Sequence, residues 1–191
     1  MDRHALDQLL ARHRPADARG AGVVEQIRAL LSGTPAPFSR AQTEPGHVTA
    51  SAFILDPSEQ DLLLIHHGKL GLWLQPGGHV DRDDDDIIAA ARREIAEETG
   101  LSDVTLLAGE PDLIDVDIHE IPANPRKGEG AHAHYDVRLL FRAPSRDVAA
   151  GSDALDARWV PLAEVEDAGT DDSVRRAVRK LLQRGGHHVG A

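Results

Sequence analysis

Cysteine is absent from this chain of 191 residues, which excludes disulfides, thiolate metal sites and cysteine nucleophiles. No apolar run reaches the ~18 residues that a membrane-spanning helix needs. The polar segment Met1–Leu10 lacks the apolar region of a signal peptide. We therefore expect a cytoplasmic protein that has no membrane partner.

Aromatic residues are also scarce, and basic residues are fewer than acidic ones. The chain has 3 Phe, 2 Trp and 1 Tyr, so no pocket built on nucleobase stacking is visible in the sequence. Lys and Arg total 21 against 32 Asp and Glu, which gives a net charge of −11. An acidic chain repels phosphate backbones, and no nucleic-acid partner is expected. The 41% of hydrophobic residues suffices for one packed domain with a small appendage.

Hydrophobic periodicity divides the chain into three parts. Residues 1–46 predict an N-terminal helical extension, because apolar residues recur at helical spacing before a glycine and two prolines. Residues 47–184 predict a domain of mixed strands with two embedded helices, Asp84–Thr99 and Asp171–Arg184. Residues 185–191 predict a loose tail. This order indicates an α/β sandwich with a mixed β-sheet, whose extension either caps the site or forms a homodimer contact.

Three glutamates on the first embedded helix are candidate ligands of a divalent cation. Glu94, Glu97 and Glu98 lie at positions i, i+3 and i+4, so they share one helix face. Bound divalent cations would offset the repulsion between these carboxylates, and all-oxygen ligands favour Mg²⁺ or Mn²⁺. Such ions favour phosphate substrates in turn. The alternative is a solvated acidic face paired with Arg92 and Arg93.

The surrounding residues resemble the Nudix box, Gly-x5-Glu-x7-Arg-Glu-U-x-Glu-Glu-x-Gly-U, in which U is a bulky aliphatic residue. The matching residues are Gly78, Arg93, Glu94, Ile95, Glu97, Glu98, Gly100 and Leu101. The segment Arg158–Leu162, followed by a helix, is similar to the end of many Nudix domains. This resemblance, to MutT-like Nudix hydrolases of no identified subfamily, implies an α/β/α sandwich and dependence on Mg²⁺ or Mn²⁺. It also implies hydrolysis of a nucleoside diphosphate linked to another group.

The same resemblance implies a role for each residue of the box. The metal ligands would be Glu94, Glu97, Glu98 and the Gly78 carbonyl. Glu97 or Glu98 would also activate the attacking water. Arg93 would orient a carboxylate, and Glu97 is its partner one helical turn away.

The chain departs from the box at its first acidic position. Counting from Gly78 places that position on Asp84, whereas counting back from Arg93 places it on Asp85. The loop therefore carries a one-residue insertion, and an Asp replaces the usual Glu. We expect Asp85 to take the position, because a helix holds its register more rigidly than a loop does. This departure is the only support for the alternative function, a non-catalytic Nudix-like module that binds a nucleotide or a partner protein.

A second polar cluster follows in the strand from His132 to Arg142. Strand alternation places His132, His134, Asp136 and Arg138 on one face. We interpret that face as a substrate cleft for a small nucleoside diphosphate derivative. The alternatives are a solvent-facing strand or a separate transition-metal site made of the two histidines and Asp136. The complete set of predicted substrate-binding residues is His79, Asp81, Arg126, Lys127, His132, His134, Asp136 and Arg138.

Overall fold

The computed structural model describes residues 1–107, 113–125, 129–151 and 154–185. Its helices are α1 (Arg3–Arg12), α2 (Ala18–Gly33), α3 (Ile87–Thr99) and α4 (Asp172–Gly185), with a 3-10 helix at Leu162–Asp167. Its strands are β1 (Gly46–Leu55), β2 (Asp61–His67), β3 (Leu72–Leu74), β4 (Gly77–His79), β5 (Thr105–Leu106), β6 (Leu113–Ile121), β7 (His132–Arg142) and β8 (Ala154–Pro161). None of the helices within these ranges is long and apolar enough to span a membrane.

One mixed sheet contains all eight of these strands. Its centre is the parallel pair β1 and β7, which runs in register from Gly46 opposite Ala133 to Leu55 opposite Arg142. The other pairings are antiparallel. β6 and β5 pair with β7, β4 and β2 pair with β1, and β3 and β8 pair with β2. Every residue of β1 is buried, as expected of a central strand covered on both faces.

Helices cover both faces of the sheet. On one face, alternate residues of β1 and β7 such as Val48 and Val137 pack in one apolar cluster with α1, α2 and α3. On the other face, Phe53 and Leu64 pack with α4 residues such as Val178 in a second cluster. The prediction of an α/β/α sandwich with a mixed sheet is confirmed.

The N-terminal helices share the core of the sheet. Each begins at an aspartate, Asp2 or Asp17, whose side chain accepts a backbone N–H of the first turn. Their apolar residues lie in the same cluster as β1 and β7; they are Leu6, Leu9, Leu10, Val23, Val24, Ile27, Leu30 and Leu31. The division at residue 46 therefore separates segments of sequence but not separate packing units.

Helix α3 begins three residues later than the predicted Asp84. Asp86 is its N-cap, because the Asp86 side chain accepts the N–H of Ala89 at 2.8 Å. The helix ends at Gly100, whose φ of 73° is left-handed. Beyond Gly100, the loop after β7 covers the end of the helix, and Gly151 donates its N–H to the carbonyl of Glu98 at 2.9 Å. Both ends of the helix that carries the three glutamates are thus fixed by hydrogen bonds.

Candidate catalytic site

Two glycines of β4 lie directly against the glutamates of α3. The N–H of Gly77 donates to Oε2 of Glu98 at 2.9 Å. A Cβ atom built on Gly78 would lie only 2.7 Å from Oε1 of Glu94, so any side chain at this position would displace that carboxylate. The strand and the helix therefore meet at the carboxylates of Glu94 and Glu98.

Arg93 connects the helix to the loop before it. Its Nη1 donates to Oε1 of Glu94 at 2.8 Å and to Oε2 of Glu97 at 3.1 Å. Its Nη2 donates to the carbonyl of His79 at 2.8 Å. Hydrogen bonding to Asp84 raises the pKa of Arg93, so this guanidinium stays charged. Arg93 therefore links the carboxylates of Glu94 and Glu97 to the backbone of β4.

Asp84, and not Asp85, occupies the first acidic position of the box, so the expectation for Asp85 was wrong. Asp84 is buried and accepts a bidentate pair from Arg93, with Nε to Oδ1 at 3.1 Å and Nη2 to Oδ2 at 3.0 Å. Asp85 is exposed. The helical register does not reach Asp85, because the helix begins only after Asp86. The extra residue is accommodated in the loop between Asp84 and the N-cap.

The carboxylates of this site differ in their surroundings. Burial raises the pKa of Glu94, although Arg93 opposes the shift. Burial also tends to raise the pKa of Asp84, but hydrogen bonds from Arg93 and from the N–H of Asp81 outweigh it, and the pKa is lowered. The Glu97 side chain is 55% exposed. The site thus combines a desolvated carboxylate that favours protonation or a bound cation with one that reaches solvent.

The predicted substrate-binding residues near β4, His79 and Asp81, do not lie in one place. The Asp81 side chain is exposed, and its carboxylate lies 3.7 Å from Nε of Arg93 at the rim of the glutamate site. The His79 ring stacks on His47, with ring centroids 5.1 Å apart. Because Gly78 faces Glu94, alternation along β4 directs His79 to the opposite face of this strand. Arg126 and Lys127 lie outside the described residues.

Five histidines cluster on one face of the sheet. His47 and His134 are opposite each other on β1 and β7, and their ring centroids lie 4.8 Å apart. His132, His79 and His119 each have a ring centroid within 5.3 Å of that of His47 or His134. Burial lowers the pKa of His47, that of His79 to about 4 and that of His134 to about 2. These three imidazoles are neutral at pH 7.

Asp136 and Arg138 are buried and do not line an open cleft, which corrects their prediction as substrate contacts. They are only 1% and 2% exposed. Asp136 accepts hydrogen bonds from Thr49, from Ser51 and from Nε of Arg138. Helix α4 covers this part of the face, so the alternative of a solvent-facing strand is also wrong here.

Arg138 lies at the centre of a buried ionic network. Its guanidinium contacts Asp115 at 3.4 Å and Asp117 at 3.3 Å as well as Asp136. Lys180 of α4 lies 2.5 Å from Asp115. Arg176 of α4 and Arg19 of α2 pair with Asp117. This network joins both helical layers to β6 and β7.

Sequence reasoning missed His47 and the two aspartates of β6, Asp115 and Asp117. Alternation in β1 carried a usable signal, because His47, Thr49 and Ser51 are polar residues at every second position of an otherwise apolar strand. The β6 segment carries the same signal in Asp115, Asp117 and His119. Asp136 of β7, the partner of Thr49 and Ser51 of β1, lies 85 to 87 positions later in the sequence. Alternation within one strand cannot predict such a distant partner.

Comparison with known proteins identifies the family. A family model described as the NUDIX domain matches residues 45–182. The chain belongs to the Nudix family, and the resemblance drawn from the box is confirmed. The match begins one residue before β1 and ends within α4.

Two similar sequences bear the names of pyrophosphohydrolases. An RNA pyrophosphohydrolase of Caulobacter vibrioides is 39% identical over 71 residues, which is 37% of this chain and 41% of that protein. A probable DHNTP pyrophosphohydrolase of Lactococcus lactis subsp. cremoris is 32% identical over 100 residues, which is 52% of this chain and 56% of that protein. The chain thus spans about half or less of the length of these relatives.

Solved structures share the fold. The Caenorhabditis elegans Ap4A hydrolase in a binary complex superposes with a TM-score of 0.54 and 19% identity, covering 73% of this chain and 98% of that one. The Nudix domain of Shewanella oneidensis NrtR complexed with ADP ribose has a TM-score of 0.51 and 21% identity, covering 82% and 96%. At these identities the likeness shows a common fold.

Proposed function

We propose that this chain is a pyrophosphohydrolase that uses Mg²⁺ or Mn²⁺ to hydrolyse the diphosphate linkage of a nucleoside diphosphate derivative. The observation that carries the proposal is the contact of the Gly77–Gly78 segment with Glu94 and Glu98, next to an Arg93 that holds Glu94 and Glu97. The names of the two pyrophosphohydrolase relatives support the same reaction class.

The donor set suits a hard divalent cation. Glu94, Glu97 and Glu98 offer carboxylate oxygens, and no side chain at Gly78 blocks the approach to Glu94. Mg²⁺ and Mn²⁺ prefer such oxygen ligands, whereas imidazole and thiolate suit softer ions. We assign these three glutamates and the Gly78 carbonyl as metal ligands. When bound, the metal lowers the pKa of the attacking water and stabilises the departing phosphate.

The protein side chains divide the remaining work. Hydrolysis forms a bond between the water oxygen and phosphorus, breaks the P–O bond to the leaving phosphate and releases the water proton. Glu97 and Glu98 are the two carboxylates that we propose as acceptors of that proton. Arg93 keeps Glu94 and Glu97 at fixed positions, and Asp84 keeps Arg93 in place. Asp81, at the exposed rim, is proposed to contact the substrate or its hydrated ions.

The first test is phosphate release from a panel of substrates, with Mg²⁺, Mn²⁺ or EDTA, coupled to a phosphatase or pyrophosphatase where the products are phosphomonoesters or pyrophosphate. The panel contains nucleoside triphosphates, ADP-ribose, dinucleoside polyphosphates, NADH, nucleotide sugars, dihydroneopterin triphosphate and a 5′-triphosphorylated RNA. We expect metal-dependent release from at least one member and none in EDTA. Glu97→Gln and Glu98→Gln should each lower kcat by at least about 100-fold, in line with loss of a general base.

Matched variants separate catalysis from folding. Glu25→Gln changes an exposed glutamate of α2 and should leave turnover unchanged. Wild-type turnover in a protein that carries Gln at positions 94, 97 and 98 would exclude this site. If the folded protein binds Mn²⁺ but hydrolyses no member of the panel, the non-catalytic module is favoured instead.

A further inference from the structure

The histidine cluster lies on the face of β4 opposite Glu94 and has no part in the proposed hydrolysis. Three of its members, His47, His132 and His134, each place one ring nitrogen within 4.8 Å of those of the other two. His47 is fully buried, and His132 is 7% exposed. Buried imidazoles this close together can share a single ligand.

Hydrogen bonds fix the tautomers of two of these rings. Nδ1 of His47 lies 3.0 Å from the carbonyl oxygen of Gln42, and Nδ1 of His132 lies 2.8 Å from that of Gly130. A carbonyl oxygen only accepts, so each Nδ1 carries a hydrogen, and in the neutral form of each ring the lone pair is on Nε2. Metal-binding histidines are oriented in this way, with the second nitrogen donating to a backbone carbonyl.

Two nitrogens of the cluster are buried without a partner. Among the described residues, Nε2 of His47 and Nε2 of His134 have no hydrogen-bond partner and almost no solvent contact. An unsatisfied buried polar atom destabilises the folded state. Native proteins keep few such atoms, and a cation bound between the two nitrogens would satisfy both of them.

We propose that His47, His132 and His134 bind a Zn²⁺ ion in a site distinct from the glutamate site. Three imidazoles suit Zn²⁺ and its neighbours in the transition series, and they are poor ligands for Mg²⁺. Zn–N bonds of about 2.0–2.1 Å place tetrahedral ligand nitrogens about 3.4 Å apart, so small ring rotations from the present separation complete the site. Asp136, the third ligand considered from the sequence, is excluded because Arg138, Thr49 and Ser51 hold it.

The location suggests what the ion does. His47 lies on β1, while His132 and His134 lie on β7, so one ion links the two central strands near their amino ends. The Gln42 carbonyl belongs to the segment that joins α2 to β1, and the Gly130 carbonyl to the segment before β7. Bound Zn²⁺ therefore fixes both segments against the sheet and stabilises the folded chain.

The test is Zn²⁺ binding by the full-length protein after removal of metals with EDTA. We expect one Zn²⁺ per chain by elemental analysis after dialysis, a rise in Tm on addition of Zn²⁺, and visible absorption typical of four-coordinate Co²⁺ on replacement. His132→Ala and His47→Ala should each weaken Zn²⁺ affinity by more than about tenfold, since even outer-shell changes cost about 10–100-fold.

The control variants address the other places where Zn²⁺ could bind. His66→Ala with His67→Ala removes two histidines of β2 outside the cluster, and His187→Ala with His188→Ala removes two near the end of the chain. Glu97→Gln weakens the glutamate site. All three proteins should retain Zn²⁺ binding. Loss of binding in any of them, together with retention in His132→Ala, would overturn the proposal.

X-ray absorption of the Zn²⁺-loaded wild-type protein gives a result that needs no variant. We expect scattering from three imidazoles. A spectrum of oxygen ligands alone, or no tight binding of Zn²⁺ at all, would refute the site even where a histidine variant fails to fold. The readouts are independent of turnover, so a failed hydrolase assay leaves this test intact.

Discussion

The proposed catalytic site requires a glycine at position 78, because Glu94 occupies the space that a side chain there would fill. In Gly78→Ala, the new Cβ would stand 2.7 Å from Oε1 and 2.8 Å from Cδ of Glu94. The flexible end of Glu94 can move away, so we expect a loss of kcat of about 10- to 100-fold with little change in Tm. Steady-state kinetics and thermal denaturation measure the two effects.

Gly22→Ala is the matched control for this substitution. Gly22 lies on α2, and nothing lies within 4 Å of a Cβ at that position. Alanine in a helix is favoured over glycine by about 0.5–1 kcal/mol, so this variant should be slightly more stable and equally active. An equal loss of activity in both variants would show that the contact with Glu94 is irrelevant.

Asp84 and Asp85 are adjacent residues for which the structure predicts different outcomes. Asp84→Asn removes the charge that faces Arg93, and we expect kcat to fall about tenfold or more because Arg93 no longer holds Glu94 and Glu97. Asp85→Asn alters an exposed side chain and should leave kcat unchanged. Kinetics at several Mg²⁺ concentrations provide the measurement. A larger loss of kcat in Asp85→Asn than in Asp84→Asn would show that Asp85 takes the acidic position of the box.

The residues of the box were predictable because the motif encodes a contact between a strand and a helix. The choice between Asp84 and Asp85 was not, since it depends on where the helix begins. Asp86 sets that point through its hydrogen bond to Ala89. The sequence offers four consecutive aspartates, each an acceptable N-cap by type, so only the folded loop distinguishes them.

Strand β7 contains two arginines in very different surroundings. Arg138→Met leaves the Asp136 carboxylate with the two hydroxyls of Thr49 and Ser51 as its described side-chain partners. Removing one member of a buried ionic network costs about 3–5 kcal/mol. We expect a loss of that size in the free energy of unfolding, measured by urea denaturation.

Arg142→Met is the control on the same strand. Arg142 pairs with Glu59 at 3.0 Å, and both side chains are more than 40% exposed. Exposed ion pairs contribute about 0–1 kcal/mol, so this variant should be almost as stable as the wild type. Similar losses in the free energy of unfolding for Arg138→Met and Arg142→Met would mean that burial does not determine how much an ion pair contributes to stability.

The order of helices and strands was largely predictable, because apolar spacing reports each element separately. The burial of the β7 polar face was not. Alternation placed Asp136 and Arg138 on one face, but whether that face meets water depends on α4, which is distant in sequence. The pairing of Lys180 with buried Asp115 was not predictable either, because a basic residue on an amphipathic helix is usually exposed.

The response of the whole molecule to acid follows from its buried carboxylates. Burial tends to raise the pKa of Asp117, but Arg138, Ser173 and Arg19 outweigh it and lower the pKa to about 2. A carboxyl with a lowered folded pKa stabilises the protein above its unfolded value near 3.9 and loses that effect as the pH falls through its folded value. The contribution of Asp117 should therefore be constant above about pH 4 and vanish towards pH 2.

The contribution of Asp117 is the difference in free energy of unfolding between the wild type and Asp117→Asn. Measured by urea denaturation from pH 7 to pH 2, this difference should fall only in the last two pH units. Asp172→Asn, at a side chain that is 94% exposed, provides the control and should show a small difference throughout. A difference for Asp117 that stays constant to pH 2 would contradict the lowered pKa.

The parallel pairing of β1 with β7 constrains the kinetics of folding. Partner residues in this pair are 87 positions apart, so the centre of the sheet cannot form from local contacts. Pairings of such high contact order fold slowly, because the entropy of closing the loop is lost before the contacts form. At about 5–20 residues per second, a ribosome needs roughly 4–17 s to deliver β7 after β1. During that interval β1, which is buried along its whole length in the native sheet, cannot pair with β7. We therefore expect expression at low temperature, or with added chaperones, to raise the yield of folded protein.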